Sequence, residues 1–463
     1  MSAKSQPYDL LIIGAGVSGT ALLYETARFT DIQHIGMIEK YAAPARVNSL
    51  SSNNSQTLHC GDIETNYTVE KALKVQRAAH MLARYCLQQP DRDHLIYAYP
   101  KMVLGVGERE CRLLRERFAS LQPHYPQLRL LEKKDIARIE PAVVVKTDGH
   151  LRDEELVALG SVDEYTAVDF EAVSRSFARQ AQRVDGKTID IHYNETVRHI
   201  RIEAQRFLVE TGRTCYQARS LVVCAGGHSM KLAQDLGYGL DYSCLPVAGS
   251  YYFTPQILNG KVYTVQNDKL PFAAIHGDPD VLVPGKTRFG PTALILPLLE
   301  RYNYRTLPDF LRVFRFDRRV ARVLWDLVRV ADVRNYLLKN VLFEVPFVRK
   351  LLFLRDARKI IPGLRYRDLS FARRVGGIRP QIIDKDQRKL LLGEAKIDTG
   401  KGAIFNMTPS PGGTSCLENA EFDMRAIAAF LGARIDEAAF RAELLGEQTE
   451  AARKDFTGHM LGE

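Results

Sequence analysis

The sequence predicts an α/β protein in which a nucleotide-binding domain, assembled from separated stretches of chain, is covered by a second, mainly antiparallel α+β domain. Three observations predict it. An apolar run of strand length, YDLLII at 8–13, leads directly into Gly14-Ala-Gly16-Val-Ser-Gly19. A second apolar strand late in the chain, SLVVC at 220–224, closes on Ala225-Gly226-Gly227. The chain is 463 residues long and 46% hydrophobic, enough for two or three domains with real cores.

Taken in order, the run at 8–13 is continuously apolar, as expected for a parallel strand buried on both faces. TALLYETARF at 20–29 has helical apolar spacing, and HIGMIEK at 34–40 is a second strand with Glu39 near its end. Strand, glycine turn, helix and strand with an acid at the tip form a dinucleotide-binding unit. The glycines allow a tight turn and close approach to a pyrophosphate, the helix N-terminus offers free N–H groups, and Glu39 suits ribose hydroxyls rather than a 2′-phosphate. Residues 165–182 read as an amphipathic helix; the stretches 189–204, 206–212 and 215–218 read as short strands. The Gly226 turn then returns beside the first strand, as in two-domain flavoproteins under the adenosine half of FAD. Near the C-terminus, Pro411-Gly412-Gly413-Thr414-Ser415 opens a helical run, and its N–H donors suit the N1 and O2 region of a reduced flavin. The expected Rossmann-like FAD-binding domain therefore comprises 1–90, 160–235 and 370–435. The second domain comprises 91–159 and 236–369, and 436–463 form a charged peripheral tail.

Composition narrows the class. The seven cysteines are scattered without a C-x-x-C pair, so neither a disulfide framework nor a zinc site is expected, and no metal is assigned. The N-terminal apolar run enters the glycine motif with no cleavage pattern, and no uncharged apolar stretch is long enough to span a bilayer. A cytoplasmic protein that meets a membrane from one side fits. The formal charge of +9 is local: residues 301–360 hold 15 Lys/Arg and 6 Asp/Glu, and the rest is neutral. That distribution suggests one docking surface rather than a nucleic-acid-binding body.

Four polar, glycine-containing segments carry candidate chemistry: Asn53 to Asp62, Leu270 to Asp278, Lys286 to Pro291, and Gly376-Gly377-Ile-Arg379-Pro-Gln381. The glycine pair allows a close backbone approach, and a guanidinium two residues on suits bidentate capture of a carboxylate. His276 closes an apolar strand, and His59 falls in a segment expected near the flavin.

These segments also carry a resemblance. SSNNSQTLHCGDIETNYT, CLPVAGSYYF, GKVYTVQNDKLPFAAIHGDPD, KTRFGPTAL, GGIRPQIID and FNMTPSPGGTSCLENA, in that order, resemble the FAD-dependent malate:quinone oxidoreductases, within the D-amino-acid-oxidase and L-2-hydroxyglutarate-dehydrogenase superfamily. The resemblance implies oxidation of (S)-malate to oxaloacetate, with electrons passed through FAD to a membrane quinone, linking the tricarboxylic acid cycle to respiration. It implies that Gly14, Gly16, Gly19 and Glu39 bind the adenosine diphosphate part of FAD and that Gly412, Gly413 and Thr414 face the flavin. His276 would be the base and Arg379 the carboxylate anchor. Many relatives carry a basic residue where this chain has Ala248, so a second carboxylate ligand is expected from Arg288, Lys286 or Gln56. Another 2-hydroxy acid such as L-2-hydroxyglutarate is the alternative substrate.

The basic segment bears on the acceptor. Arg312, Arg315, Arg319, Arg322 and Arg329 recur at helical spacing among Phe310, Phe314, Leu324, Leu327 and Val328, and 301–360 hold 10 of the 41 aromatics. A basic, aromatic, amphipathic helix suits the anionic lipid of the inner face of the cell membrane, where a quinone resides. The competing readings are a solvated cationic face over ordinary core, and a flavoprotein that binds RNA or a protein partner there.

Overall fold

The computed structural model describes residues 6–266, 275–391, 395–408 and 411–447. Strand Tyr8–Ile13 lies in the middle of the first sheet, parallel to Cys215–Val223 on one side and His34–Ile38 on the other. Strand Ala403–Met407 extends the sheet beyond the former and Thr188–His192 beyond the latter. The side chains of the central strand alternate between two cores: Leu10 and Ile12 enter one cluster, Leu11 and Ile13 the other. Both faces of a parallel strand are covered, which is why the run carries no polar residue after Asp9. Helix Val17–Phe29 lies over one face between helices Phe170–Ala181 and Cys416–Leu431.

Among the described residues the second domain has two sheets of four or more strands. One runs in the order Ser370–Phe371, Tyr252–Pro255, Lys286–Gly290, His276–Pro279, Lys261–Thr264, Lys101–Val106, Leu156–Ser161, Arg129–Glu132. The other runs Leu294–Ile295, Tyr242–Ala248, Ile378–Asp384, Lys389–Leu391. This corrects the expected boundary at 370. Ile378–Asp384 is antiparallel to Tyr242–Ala248 through seven positions, so the third nucleotide-domain piece begins near Ala395. The tail is also more than peripheral up to residue 447. Phe440 packs edge-on against Phe29 with ring centres 5.4 Å apart, and Arg28 pairs with Glu443. The remainder, 448–463, lies outside the described residues.

The basic segment folds as four helices, not one long amphipathic helix: Leu307–Phe314, Arg318–Arg329, Ala331–Leu342 and Val348–Ala357. Arg315, in the left-handed region at φ 42°, ends the first, and the Asp317 side chain caps the second. Phe310 and Val313 pack on Cys244 and Ile382, and Val320 and Val323 on Leu245 and Ile383. The apolar sides of these two helices are ordinary core over the four-stranded sheet. Exposed apolar side chains lie along the whole insertion: Leu311, Phe316 and Trp325 on or beside the first two helices, and Leu338, Val341, Leu342, Phe347 and Leu351 on the last two and their connection, Phe347 by 95%.

Candidate active site

A cavity of about 570 Å³ runs from the carboxyl ends of the parallel strands to the second domain, and Gly14, Gly16, Glu39, Gly226, Gly412 and Gly413 are in its wall. Gly14 has φ +101°, and a Cβ there would lie 2.6 Å from the Cys224 carbonyl oxygen, so the two strand-end turns can approach only as glycine. Gly19 lies beneath the cavity rather than in its wall. A Cβ on it would meet Gly14 O at 2.0 Å, so its part is to seat the helix against the turn. No side chain caps this helix at Gly16, and the Val17 N–H is taken by Ser49 Oγ at 3.0 Å.

Glu39 accepts the backbone N–H groups of Ala15 at 2.8 Å and Tyr41 at 2.9 Å. Burial raises its proton affinity and these two donors oppose that. A second acid, Glu195, lines the same end and has a buried Oε2 without a partner. Sequence reasoning missed it, although its place just past strand Thr188–His192, at the same end as Glu39, was a usable signal. Two acids, a glycine turn and a bare helix end fit the adenosine diphosphate half of FAD.

At the other end, Gly412, Gly413 and Thr414 precede helix Cys416–Leu431. The Thr414 hydroxyl accepts the His59 N–H at 3.0 Å and donates to Thr57 O at 3.4 Å, so it ties the 57–59 loop to the turn. What this turn presents to an anion is backbone N–H and the helix end.

Arg379 lines the cavity near Gly249, Tyr251 and Pro291. The strand it occupies starts from the expected close approach: Gly376 has φ +118°, and a Cβ there would sit 1.9 Å from Gly249 O. Among the described residues no carboxylate lies within 4 Å of the half-buried Arg379 side chain and no acceptor takes its hydrogens. It is a cation in the cavity wall without a counter-ion among the described residues.

Arg288, Gln56, Lys286 and His276 stand elsewhere than expected. Arg288 is fully buried, 3.5 Å from Asp278 and 3.3 Å from Asp280, with its guanidinium over the Tyr251 ring. Gln56, also fully buried, donates to Ser51 O at 3.0 Å and accepts from Val281 N at 3.1 Å. Both side chains are committed to protein partners and neither lines the cavity. Lys286 is exposed at the far end of its strand, where it pairs with Pro255, whereas Gly290 at the other end pairs with His276. His276 is buried behind the wall and stacked on Tyr263 at 4.3 Å, with neither ring nitrogen hydrogen-bonded. Burial above all, together with the charges of Lys261 and Arg288, pushes its pKa down to about 3 against the pull of Asp278. The structure thus sets His276, expected as the base, behind the residues that line the cavity.

Residues 9–413 match the family model described as FAD dependent oxidoreductase. A probable malate:quinone oxidoreductase of Campylobacter jejuni is 47% identical over 448 residues, covering 96% of this chain and all of that one. A malate:quinone oxidoreductase of Helicobacter pylori strain J99 is 42% identical, with the same coverage. The chain belongs to the malate:quinone oxidoreductase family. FAD is the cofactor of this family member, in keeping with the glycine turns and acids of the cavity. The fold is shared with L-α-glycerophosphate oxidase of Mycoplasma pneumoniae with FAD bound (TM-score 0.61, 18% identity, 93% of this chain and 96% of that one). It is shared equally with glycine oxidase of Geobacillus kaustophilus (TM-score 0.62, 16% identity, 92% and 95%).

In this family member the wall between the two domains is rich in buried charge. Lys101 bonds Asp62 at 2.7 Å and Glu164 at 3.0 Å, and His59 Nδ1 lies 2.7 Å from Glu64 Oε1. Among the described residues no group of three His, Cys, Asp or Glu side chains could hold a metal ion, and no helix is long and apolar enough to cross a membrane.

Proposed function

We propose that the protein oxidises (S)-malate to oxaloacetate and hands the electrons, through FAD, to a membrane quinone. The observation that carries this is Arg379, a guanidinium in the cavity wall with no ion-pair partner among the described residues. A carboxylate there gains two charge-assisted hydrogen bonds without displacing a protein partner. FAD, when bound, supplies the two-electron chemistry, accepting hydride from C2 of the substrate. The chain supplies position: Arg379 holds a carboxylate, Tyr251 and Pro291 close the space around it, and a histidine takes the hydroxyl proton. Anaerobic mixing with L-malate, D-malate, L-lactate and L-2-hydroxyglutarate tests the substrate. L-malate is expected to bleach the flavin fastest, and a faster reaction with L-2-hydroxyglutarate would transfer the assignment to that acid.

The quinone brings the protein to the inner face of the cell membrane, and the helical insertion has the chemistry for anionic lipid. Arg312, Arg315, Arg322 and Arg329 are exposed, with no carboxylate within 4 Å among the described residues. Arg319 differs, for it bonds Asp386 at 2.9 Å. The exposed Leu338, Val341, Leu342, Phe347 and Leu351 supply an apolar face alongside these cations. Helix Ala331–Leu342 and the turn after it also touch the cavity loops. Asn340 accepts the Ala293 N–H at 2.7 Å, and Tyr252 donates to Phe343 O at 3.0 Å.

A further inference from the structure

We infer that His59, held by Glu64, is the group that takes the substrate's hydroxyl proton. The inference rests on the reading of the cavity as a 2-hydroxy acid site and deepens it.

His59 and Glu64 are five residues apart, about 16 Å in extended chain. The chain reverses between them at Gly61, where φ is +86° and a Cβ would lie 2.4 Å from Ala72 O. This brings Glu64 Oε1 to 2.7 Å from His59 Nδ1. Burial alone would favour the neutral acid, but the hydrogen bond and charge of His59, with Lys101 behind, hold Glu64 below its ordinary range. Glu64 is thus a carboxylate, and the hydrogen on the His59 ring is drawn to Nδ1. The other nitrogen, Nε2, has no partner among the described residues, and His59 lines the cavity with 15% of its side chain exposed. Its backbone N–H is fixed to Thr414 at the turn that opens the flavin-end helix, so the ring is held by the element that faces the flavin. A cavity-wall ring with Nδ1 at a carboxylate and Nε2 without a partner among the described residues is arranged to accept a proton there.

Protonation has opposite consequences at the two histidines. A proton on His59 leaves a cation 2.7 Å from a carboxylate. A proton on His276 adds a cation to Asp278, which Lys261 and Arg288 already share at 3.4 and 3.5 Å. The first pairs one cation with one carboxylate, and the second would set a third cation on a single carboxylate.

Atoms and electrons balance in this step. The C2–H bond breaks with its electron pair leaving as hydride to flavin N5, the O–H bond breaks with its proton passing to Nε2 of His59, and the C=O bond forms. The quinone, the oxidant of the proposed reaction, later takes a hydride equivalent and one proton to become the quinol. Glu64 is the positioning residue.

The test uses full-length, FAD-loaded protein with His59→Gln, His59→Asn, Glu64→Gln and His276→Gln, with FAD content read from the visible spectrum. Flavin reduction by L-malate is expected to slow by about 10²- to 10⁴-fold in either His59 variant. It is expected to slow less in Glu64→Gln, with the loss in kcat rather than KM because an amide no longer fixes the ring through Nδ1. A second readout does not depend on turnover. Calorimetric binding of oxalate in buffers of different ionisation enthalpy is expected to show proton uptake in the wild type and in His276→Gln, but none in the His59 variants. His59 variants that reduce flavin within about fivefold of wild type, or proton uptake lost in His276→Gln and kept in His59→Gln, would overturn the assignment. Failure of L-malate to reduce wild-type flavin would instead overturn the malate reading, and the oxalate proton linkage would still test the pair.

Discussion

Replacing Arg379 by Gln removes a charge that nothing in the described protein balances. Because no carboxylate among the described residues lies within 4 Å of this guanidinium, the substitution leaves none of them unpaired, and Val247 keeps its backbone pairing with residue 379. The loss should therefore fall on the substrate rather than on the fold. A hydrogen bond to a charged group contributes about 1.5–3 kcal/mol. A bidentate pair at a half-exposed position, discounted for solvent, is worth about 2–4 kcal/mol in the transition state. At about 1.36 kcal/mol per decade this is a fall of about 30- to 1000-fold in kcat/KM. The assay is anaerobic flavin reduction over a range of L-malate concentrations, with FAD content and melting temperature measured in parallel. The companion Arg288→Gln removes the buried cation beside Asp280 and one of the two beside Asp278, which keeps Lys261. It is expected to lower the melting temperature and FAD retention, by about 3–5 kcal/mol of lost stability. A value of kcat/KM for Arg379→Gln within about threefold of wild type, with FAD fully bound, would refute the anchoring role.

Glu25 is fully buried in the helix of the nucleotide unit with neither carboxylate oxygen partnered, and burial foremost, then Glu421 and Asp423, holds its proton affinity well above the ordinary value. A raised acid contributes its full stability below the unfolded pKa of about 4.3 and loses it as pH rises. Glu25→Gln is thus expected to show a smaller fall in melting temperature between about pH 5.5 and 8.5 than wild type, and an equal fall would count against this. Gly376→Ala places a Cβ 1.9 Å from Gly249 O at a positive φ, so it is expected to yield little FAD-bound protein, as the ratio of visible to ultraviolet absorbance would report. On anionic vesicles, Phe347→Ser with Leu351→Ser is expected to weaken sedimentation at all salt concentrations. Arg312, Arg315 and Arg322 changed together to Gln should weaken it mainly at low salt, and Arg319→Gln, already paired with Asp386, should matter little. Equal binding by all three would remove the insertion from the lipid surface.

The parts of the fold that local chemistry dictates were legible. Tyr8–Ile13 reads as a two-sided buried strand because the run from Leu10 to Ile13 is continuously apolar on both faces. Gly376 and Gly377 before Arg379 read as a close approach because only glycine permits it. Strand partners were less legible. Ile378–Asp384 carries nothing local to say that it pairs with Tyr242–Ala248, and so 370–391 fell on the wrong side of the boundary. The charge of the insertion was plain, but the amphipathic spacing of 310–329 marked core contacts with the second sheet, and its exposed apolar residues, Trp325 and Phe347 among them, are spread over several helices. The site divided in the same way. His276 and Arg288 were the right residue types, yet their burial around a shared Asp278 is a tertiary effect. His59 and Glu64 meet only because Gly61 turns the chain back, a reversal that no spacing rule reveals.

The central claim is that electrons pass from malate to a quinone through FAD, and the two half-reactions followed in one anaerobic experiment test it most directly. The yellow protein, mixed with L-malate in the absence of oxygen, is expected to bleach with formation of one oxaloacetate per flavin. Addition of a short-chain quinone should then restore the colour rapidly, and addition of NAD⁺ should not. Flavin that stays oxidised with L-malate, or that is reoxidised by NAD⁺ as fast as by quinone, would contradict it.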